Sequence, residues 1–586
     1  MPRFCDWIAE TLYGELGFGS TLHRPVAEIQ AYNRCTNRAI GISMQPGLES
    51  RTRRSFTPRS SVPSAAVPLD FFDSPAALTT PFEWYFLVDE TADCPMVFSF
   101  VMEMSGTIDV PRWQSALDEV LPQHPLLNAC LDSATRPQPS RWRRCLKKEC
   151  IQTFDRPEEM PADWQSFDLY QERGFKLAII RNDAESAFAA GQLTATAQDT
   201  NLENLSARDN PWLLVLTFHH AATDGVGARS FVADLIYAYG QRTTTGEVGA
   251  VTLRNRRRRI NASEQQIQEV LSNRGNFERP SPQALALRQK LRLIAKEIWS
   301  ILTRRTAALG VPSPTGPSSL PPRSTSLTSS DWCLSTHAVA GFPASLELRC
   351  LRFSHHQTQQ FKQAASAVNV TLNEFLLAVF CKAVTRYLTA QSGRLPGWIS
   401  VVTPVHLSRE VLRSGQACNA ISYAFLHSRG TESLQLLTQM ERFSQIFARL
   451  RKTRSPLLFL DTLRRLRRLP ESLSRRLIRG SNSATFVFSY LGESSHRMAD
   501  EKAFITDAKL GSRHVHLGDC QISSMWGAPP VRRGTELAVA VNLFTDQLLF
   551  SFRHDERFFP AEQVRILQQL ILLELGESLS TISPSC

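Results

Sequence analysis

The run Pro211–Phe218 (PWLLVLTF) constrains this chain most, because it lacks the polar alternation of a strand with one face in water. It fits a strand covered on both faces, and it delivers His219 and His220 at its end. After a short turn, Val232, Leu235, Ile236 and Tyr239 recur at helical spacing and Gly240 supplies a stop. This order predicts an α/β protein of mixed sheets in which two adjacent histidines sit where a strand hands over to a helix.

A length of 586 residues exceeds what one ordinary core holds, which predicts two lobes and linkers. Residues 1–64 end in Arg51–Ser64, rich in Arg, Ser and Pro without an apolar face, and read as a poorly ordered extension. A first lobe over 65–244 would hold a strand at Met96–Met102, a helix at Trp113–Leu121 and the histidine loop. Over 245–345 the pattern becomes a helical stripe (Leu287, Leu291, Ile294, Ile298, Ile301) and the Pro/Ser/Thr-rich stretch Pro312–Ser330, read as a helical insert and inter-lobe linker. A second lobe over 346–586 opens with two capping-box spacings, Ser354 with Gln357 and Thr371 with Glu374. It continues with a strand Trp398–Thr403 stopped by Pro404, three further strands at Thr485–Tyr490, Glu536–Phe544 and Gln547–Phe552, and a terminal helix at Pro560–Leu575.

No stretch approaches the roughly 20 apolar residues of a membrane helix. Met1–Leu16 carries Asp6, Glu10 and Glu15 and lacks a secretory pattern, so a cytoplasmic location is expected. The 12 cysteines form no Cys-x-x-Cys pair and His514-x-His516 has no further ligand nearby, so reduced thiols and no metal site are expected. The net charge of +11 is concentrated in Arg254 with Arg256–Arg259 and in Arg464, Arg465, Arg467, Arg468, Arg475, Arg476 and Arg479. Such blocks suit a solvated helix face, an acidic partner or the surface of an anionic membrane, the last also through Leu287–Ile301 or Leu457–Arg468. No nucleic-acid motif accompanies them.

Residues His219-His220-Ala221-Ala222-Thr223-Asp224-Gly225 answer a specific chemical need. A base that takes a proton from an alcohol or amine must be neutral at pH 7, fixed in one tautomer and exposed to substrate, which a histidine at a strand end can satisfy. Asp224 would then brace the loop, with an arginine as partner, and Gly225 would allow close backbone approach. His355-His356 is also a doublet but lacks the Asp-Gly and falls in the first turn of a helix capped by Ser354, so it reads as structural.

The His219–Gly225 segment resembles the HHxxxDG signature of the chloramphenicol-acetyltransferase-like superfamily, which includes condensation domains, wax ester synthases and alcohol acetyltransferases. His124-Pro125-Leu126-Leu127 is similar to the family's HPLLR segment, Thr371–Leu377 resembles TLNDxLL, and Thr403–Arg409 resembles xPVxLR, all in the family's order. The resemblance implies two similar lobes in a V with a central tunnel. It further implies that His220 is the general base for acyl transfer, that His219, Asp224 and Gly225 support the motif, and that Asn373, Arg409 and Asn419 are structural or substrate-positioning residues. No cofactor is implied; acyl-CoA or an acyl-carrier thioester would be a substrate. Asn128 stands where the family has arginine, and Arg409 is the candidate substitute partner of Asp224.

Three functions follow from this reading. The first is a free-standing acyltransferase that moves an acyl group from a small-molecule thioester donor to a hydroxyl or amine acceptor. The second is a stand-alone condensation-type enzyme served by a carrier protein. The third is a catalytically inactive member that binds an acyl chain or a partner.

Overall fold

The structure, a computed structural model, describes residues 69–132, 140–146, 150–161, 163–181, 212–240, 264–275, 307–309, 346–407, 414–453, 456–479, 484–495, 504–506, 513–517 and 519–582. The extension 1–64, the basic block at 254–259, the stripe Leu287–Ile301, the stretch Pro312–Ser330 and Arg409 lie outside the described residues.

In chain order the strands are β1 (Val97–Gly106), β2 (Ala129–Leu131), β3 (Trp142–Arg144), β4 (Ile151–Phe154), β5 (Phe175–Arg181), β6 (Trp212–His219), β7 (Leu346–Arg352) and β8 (Trp398–His406). They continue as β9 (Ile421–Arg429), β10 (Phe486–Glu493), β11 (Phe504–Thr506), β12 (Arg513–His516), β13 (Cys520–Ala528), β14 (Leu537–Phe544) and β15 (Gln547–Asp555). One mixed sheet runs β11-β12-β13-β1-β6-β5-β4 and the other β7-β15-β14-β10-β8-β9. The helices that matter for the site are α1 (Pro81–Asp89), α2 (Val110–Val120), α3 (Gly225–Gly240), α4 (His355–Ala367), α5 (Leu372–Ser392), α6 (Leu457–Leu466), α7 (Glu471–Arg479) and α8 (Ala561–Ile582).

From Trp212 onward the apolar run forms β6, flanked by β1 and β5, and all but one of the residues of β6 are buried. Both capping boxes close as their spacing predicts: Ser354 Oγ accepts from Gln357 N and Thr371 Oγ1 from Glu374 N, starting α4 and α5. A third starts α1, where Thr80 Oγ1 accepts from Glu83 N and Glu83 Oε2 from Thr80 N. In the first lobe Trp113, Trp142, Trp212 and Trp526 are fully buried. Each contributes on the order of 2–3 kcal/mol of apolar burial.

Two expectations need correction. Strand β8 does not stop at Pro404 but runs through it to His406. Beyond Val402 it pairs only with β9, because β10 meets it at Val401 and Val402 alone, so a residue without an N–H is tolerated on the open edge. The sheets also do not divide at residue 346: β13 pairs antiparallel with β1, carrying β11 and β12 into the first sheet. The pairing Met102↔Met525 joins segments far apart in sequence, which no local pattern specifies.

Candidate active site

His219 closes β6 opposite Val97 at the start of β1, and the amide of His220 donates to Met96 O at 2.8 Å. The edge of the sheet thus fixes where the two rings go. The His219 ring is completely buried. Its Nδ1 accepts from the Ala221 amide at 3.0 Å, so its Nε2 carries the proton and faces the Glu90 carboxylate, 3.2 Å from either oxygen.

The ring of His220 lies almost parallel to that of Phe86, with centroids 4.1 Å apart, and against Phe98 at 4.9 Å. Its Nδ1 is enclosed, and the ring lines the cavity. Burial pushes its pKa down to about 3; His219 acts in the same direction, and the backbone of His220 and Thr223 partly opposes it. The side chain is therefore neutral at pH 7.

Asp224 is the hub of the loop. Its Oδ1 accepts from Val226 N (3.0 Å) and Gly227 N (2.8 Å) at the start of α3, and its Oδ2 from Ala420 N (2.8 Å). Among the described residues its partners are these three backbone N–H groups; Arg409, the candidate arginine partner, lies outside the described residues. Asn419 completes the bracket: its Nδ2 donates to the carbonyls of His220 (2.9 Å) and Ala221 (3.0 Å). The glycine that permits close approach is Gly227 rather than Gly225. A Cβ on Gly227 would stand 2.9 Å from both Cys418 N and Cys418 O, whereas one on Gly225 would meet only Leu491 Cδ2 at 3.4 Å. Asn373, in the first turn of α5, is not among the residues lining the cavity.

Sequence reasoning missed three groups. Glu90, which follows α1, has no spacing relation to the motif it serves. His124 accepts from Ala417 N through Nδ1 (3.1 Å) and meets Asp234 Oδ2 through Nε2 (3.2 Å), tying the HPLL segment both to α3 and to the loop that carries Asn419. The third is the pair of helices α6 and α7, whose apolar residues form one wall of the cavity.

The cavity measures about 510 Å³, within the usual range for a small-molecule site. Phe98, Phe100 and His220 come from the first sheet and its motif loop, Val402, Tyr423, Val487 and Tyr490 from the second, and Phe459, Leu463 and Ile478 from α6 and α7. Phe459, Leu463 and Leu466 of the segment Leu457–Arg468, one of those suited by sequence to a membrane surface, line this cavity. One charged pair enters the lining, Asp89 with Arg532 at 3.1 Å. Burial raises the Asp89 pKa against the lowering effect of Arg532, while burial lowers that of Arg532 but Tyr85, Asp89 and Tyr423 raise it overall. Among the described residues no cluster of His, Cys, Asp and Glu suits a metal ion, and no single helix is long and apolar enough to cross a membrane.

Together the two mixed sheets and the cavity between them define a two-lobed, chloramphenicol-acetyltransferase-like fold, as found in acyltransferases and condensation domains. Trichothecene 15-O-acetyltransferase from Fusarium sporotrichioides superposes with a TM-score of 0.56 at 11% identity, over 86% of this chain and 94% of that one. The epimerization domain from the third module of tyrocidine synthetase B gives 0.50 at 15% identity, over 86% and 98%. The first condensation domain of the calcium-dependent antibiotic synthetase, in complex with a substrate analogue, gives 0.50 at 12% identity, over 87% and 97%. No protein-family model and no curated protein matches the chain.

Proposed function

We propose that this protein is an acyltransferase in which His220 is the general base. The observation that carries this reading is a buried histidine ring on the wall of an apolar cavity, with its backbone held from both halves of the chain. Acyl transfer by one of the similarly folded proteins, an O-acetyltransferase, supports it.

In this reading Nε2 of His220 takes the proton from an acceptor hydroxyl or amine as its oxygen or nitrogen attacks the thioester carbonyl. The C–S bond of the tetrahedral adduct then breaks and the imidazolium returns the proton to the leaving thiolate. The products are an ester or amide and a free thiol, and no covalent enzyme intermediate is needed. Free imidazolium would be disfavoured in so dry a site, but the negative charge that develops beside it on the adduct stabilises it at the moment it forms. Asp224 and Asn419 act by holding the loop, and Glu90 by fixing the His219 tautomer.

The donor proposed is a soluble acyl thioester, acyl-CoA most simply, and the mostly apolar lining suits a lipophilic acyl chain or acceptor. Acceptor-dependent thiol release from a panel of acyl-CoA donors tests the reading. Turnover confined to carrier-bound donors would replace acyl-CoA by a carrier protein, and binding without turnover of either donor would leave only a binding role.

A further inference from the structure

Helices α6 and α7 have two unlike faces. Inward, Phe459, Leu463 and Ile478 line the cavity. The segment from Leu457 to Arg479 also carries seven arginines, of which Arg465, Arg468, Arg475 and Arg476 are exposed, and only Asp461 and Glu471 oppose them. Several of those arginines already have structural work. Arg464 meets Asp461, Arg467 donates to Thr79 O, and Arg479 donates to the carbonyls of Val88 and Glu90. Arg476 is exposed and has no carboxylate partner among the described residues; Arg475 is exposed and meets Glu471.

Arg475, Arg476 and Arg479 surround one surface hollow with Glu471 and Ser472. Their spacing of three and four residues sets like charges side by side on a helix, which disfavours the helix unless an anion is drawn in. The hollow also lies close to the reacting centre. Arg479 holds the Glu90 backbone, and the Glu90 carboxylate holds His219, the residue before the proposed base.

We propose that this hollow binds the phosphate groups of a phosphorylated thioester donor. The diphosphate and 3′-phosphate of CoA would rest on the outer face of α7 while the acyl end lies along its inner face. This rests on the acyltransferase reading above. Guanidinium groups suit the site because they offer paired N–H donors to phosphate oxygens and keep their charge in a partly dry setting.

The test is the R475Q/R476Q double variant, which leaves Arg479 and its backbone contacts in place. Calorimetric titration with adenosine 3′,5′-bisphosphate needs no turnover and is independent of the acyl-transfer reading. The wild type should bind it with an affinity that falls as salt rises, and the variant at least tenfold more weakly. In turnover, the variant should raise KM for an acyl-CoA at least tenfold with little change in kcat. The matching acyl-N-acetylcysteamine thioester, which has no phosphate, serves as the comparison donor. Equal nucleotide binding by wild type and variant, or a KM that rises alike for both donors, would overturn the proposal. So would a defect confined to carrier-bound donors, which would assign this face to an acidic protein. Failure of the wild type to turn over even the phosphate-free donor would count against the acyltransferase reading, with the nucleotide titration still deciding the phosphate site.

Discussion

Phe86 lies parallel to His220, with ring centroids 4.1 Å apart and planes 13° from coincidence. Phe86 belongs to α1, whose last turn leads directly to Glu90, the partner of His219. One helix therefore sets the dryness of one histidine and the tautomer of the other.

Replacing Phe86 should move the acid limb of the activity profile. Burial holds the His220 pKa near 3, so letting water reach the ring must raise it toward the ordinary histidine range. F86L should shift the acid limb of kcat/KM upward, and F86A further, with a loss of about 3–5 kcal/mol in stability for the alanine variant. Rate measurements from pH 4 to 8 on variants whose folding is checked by circular dichroism would show this.

His220 should also appear in the pH dependence of stability. Its folded pKa, about 3, lies below the unfolded value of about 6.5, so the unfolded chain binds more protons between them. The contribution is fully present above pH 6.5 and is lost as pH falls toward 3. Urea unfolding of wild type and H220Q should diverge over that window, by several kcal/mol at most, with the wild type more acid-sensitive.

Removing the Glu90 carboxylate should slow turnover without emptying the cavity. E90Q takes a charged partner from His219, a hydrogen bond worth roughly 1.5–3 kcal/mol. A fall in kcat of about tenfold or more is expected, with KM for the donor little changed. Steady-state kinetics would separate the two.

The loop should be more sensitive at Asp224 and Gly227 than at Gly225. D224A leaves the amides of Val226, Gly227 and Ala420 without their acceptor and should cost about 3 kcal/mol or more. G227A forces a Cβ against the Cys418 backbone and should cost about 1–3 kcal/mol, whereas G225A should cost less than about 1 kcal/mol. Chemical denaturation of the three variants would rank them.

The sequence spoke clearly where a local pattern carries the structure. An unbroken apolar run becomes β6, Ser354 and Thr371 cap the helices their spacing predicts, and His219 and His220 fall at the strand end. It was silent where partners are distant. Glu90 reaches His219 across more than a hundred residues, β13 joins β1 from the far end of the chain, and the acceptor role of Asp224 is taken up by amides, which every residue but proline offers. Pro404 misled because its effect depends on whether a second strand flanks it, and that is a property of the sheet.

The most direct measurement is acceptor-dependent thiol release from acyl-CoA donors by wild type and by H220A, with folding of both confirmed. Release by the wild type that falls at least a hundredfold in H220A, while donor binding persists, is the expected result. Release that survives the substitution would contradict His220 as the base.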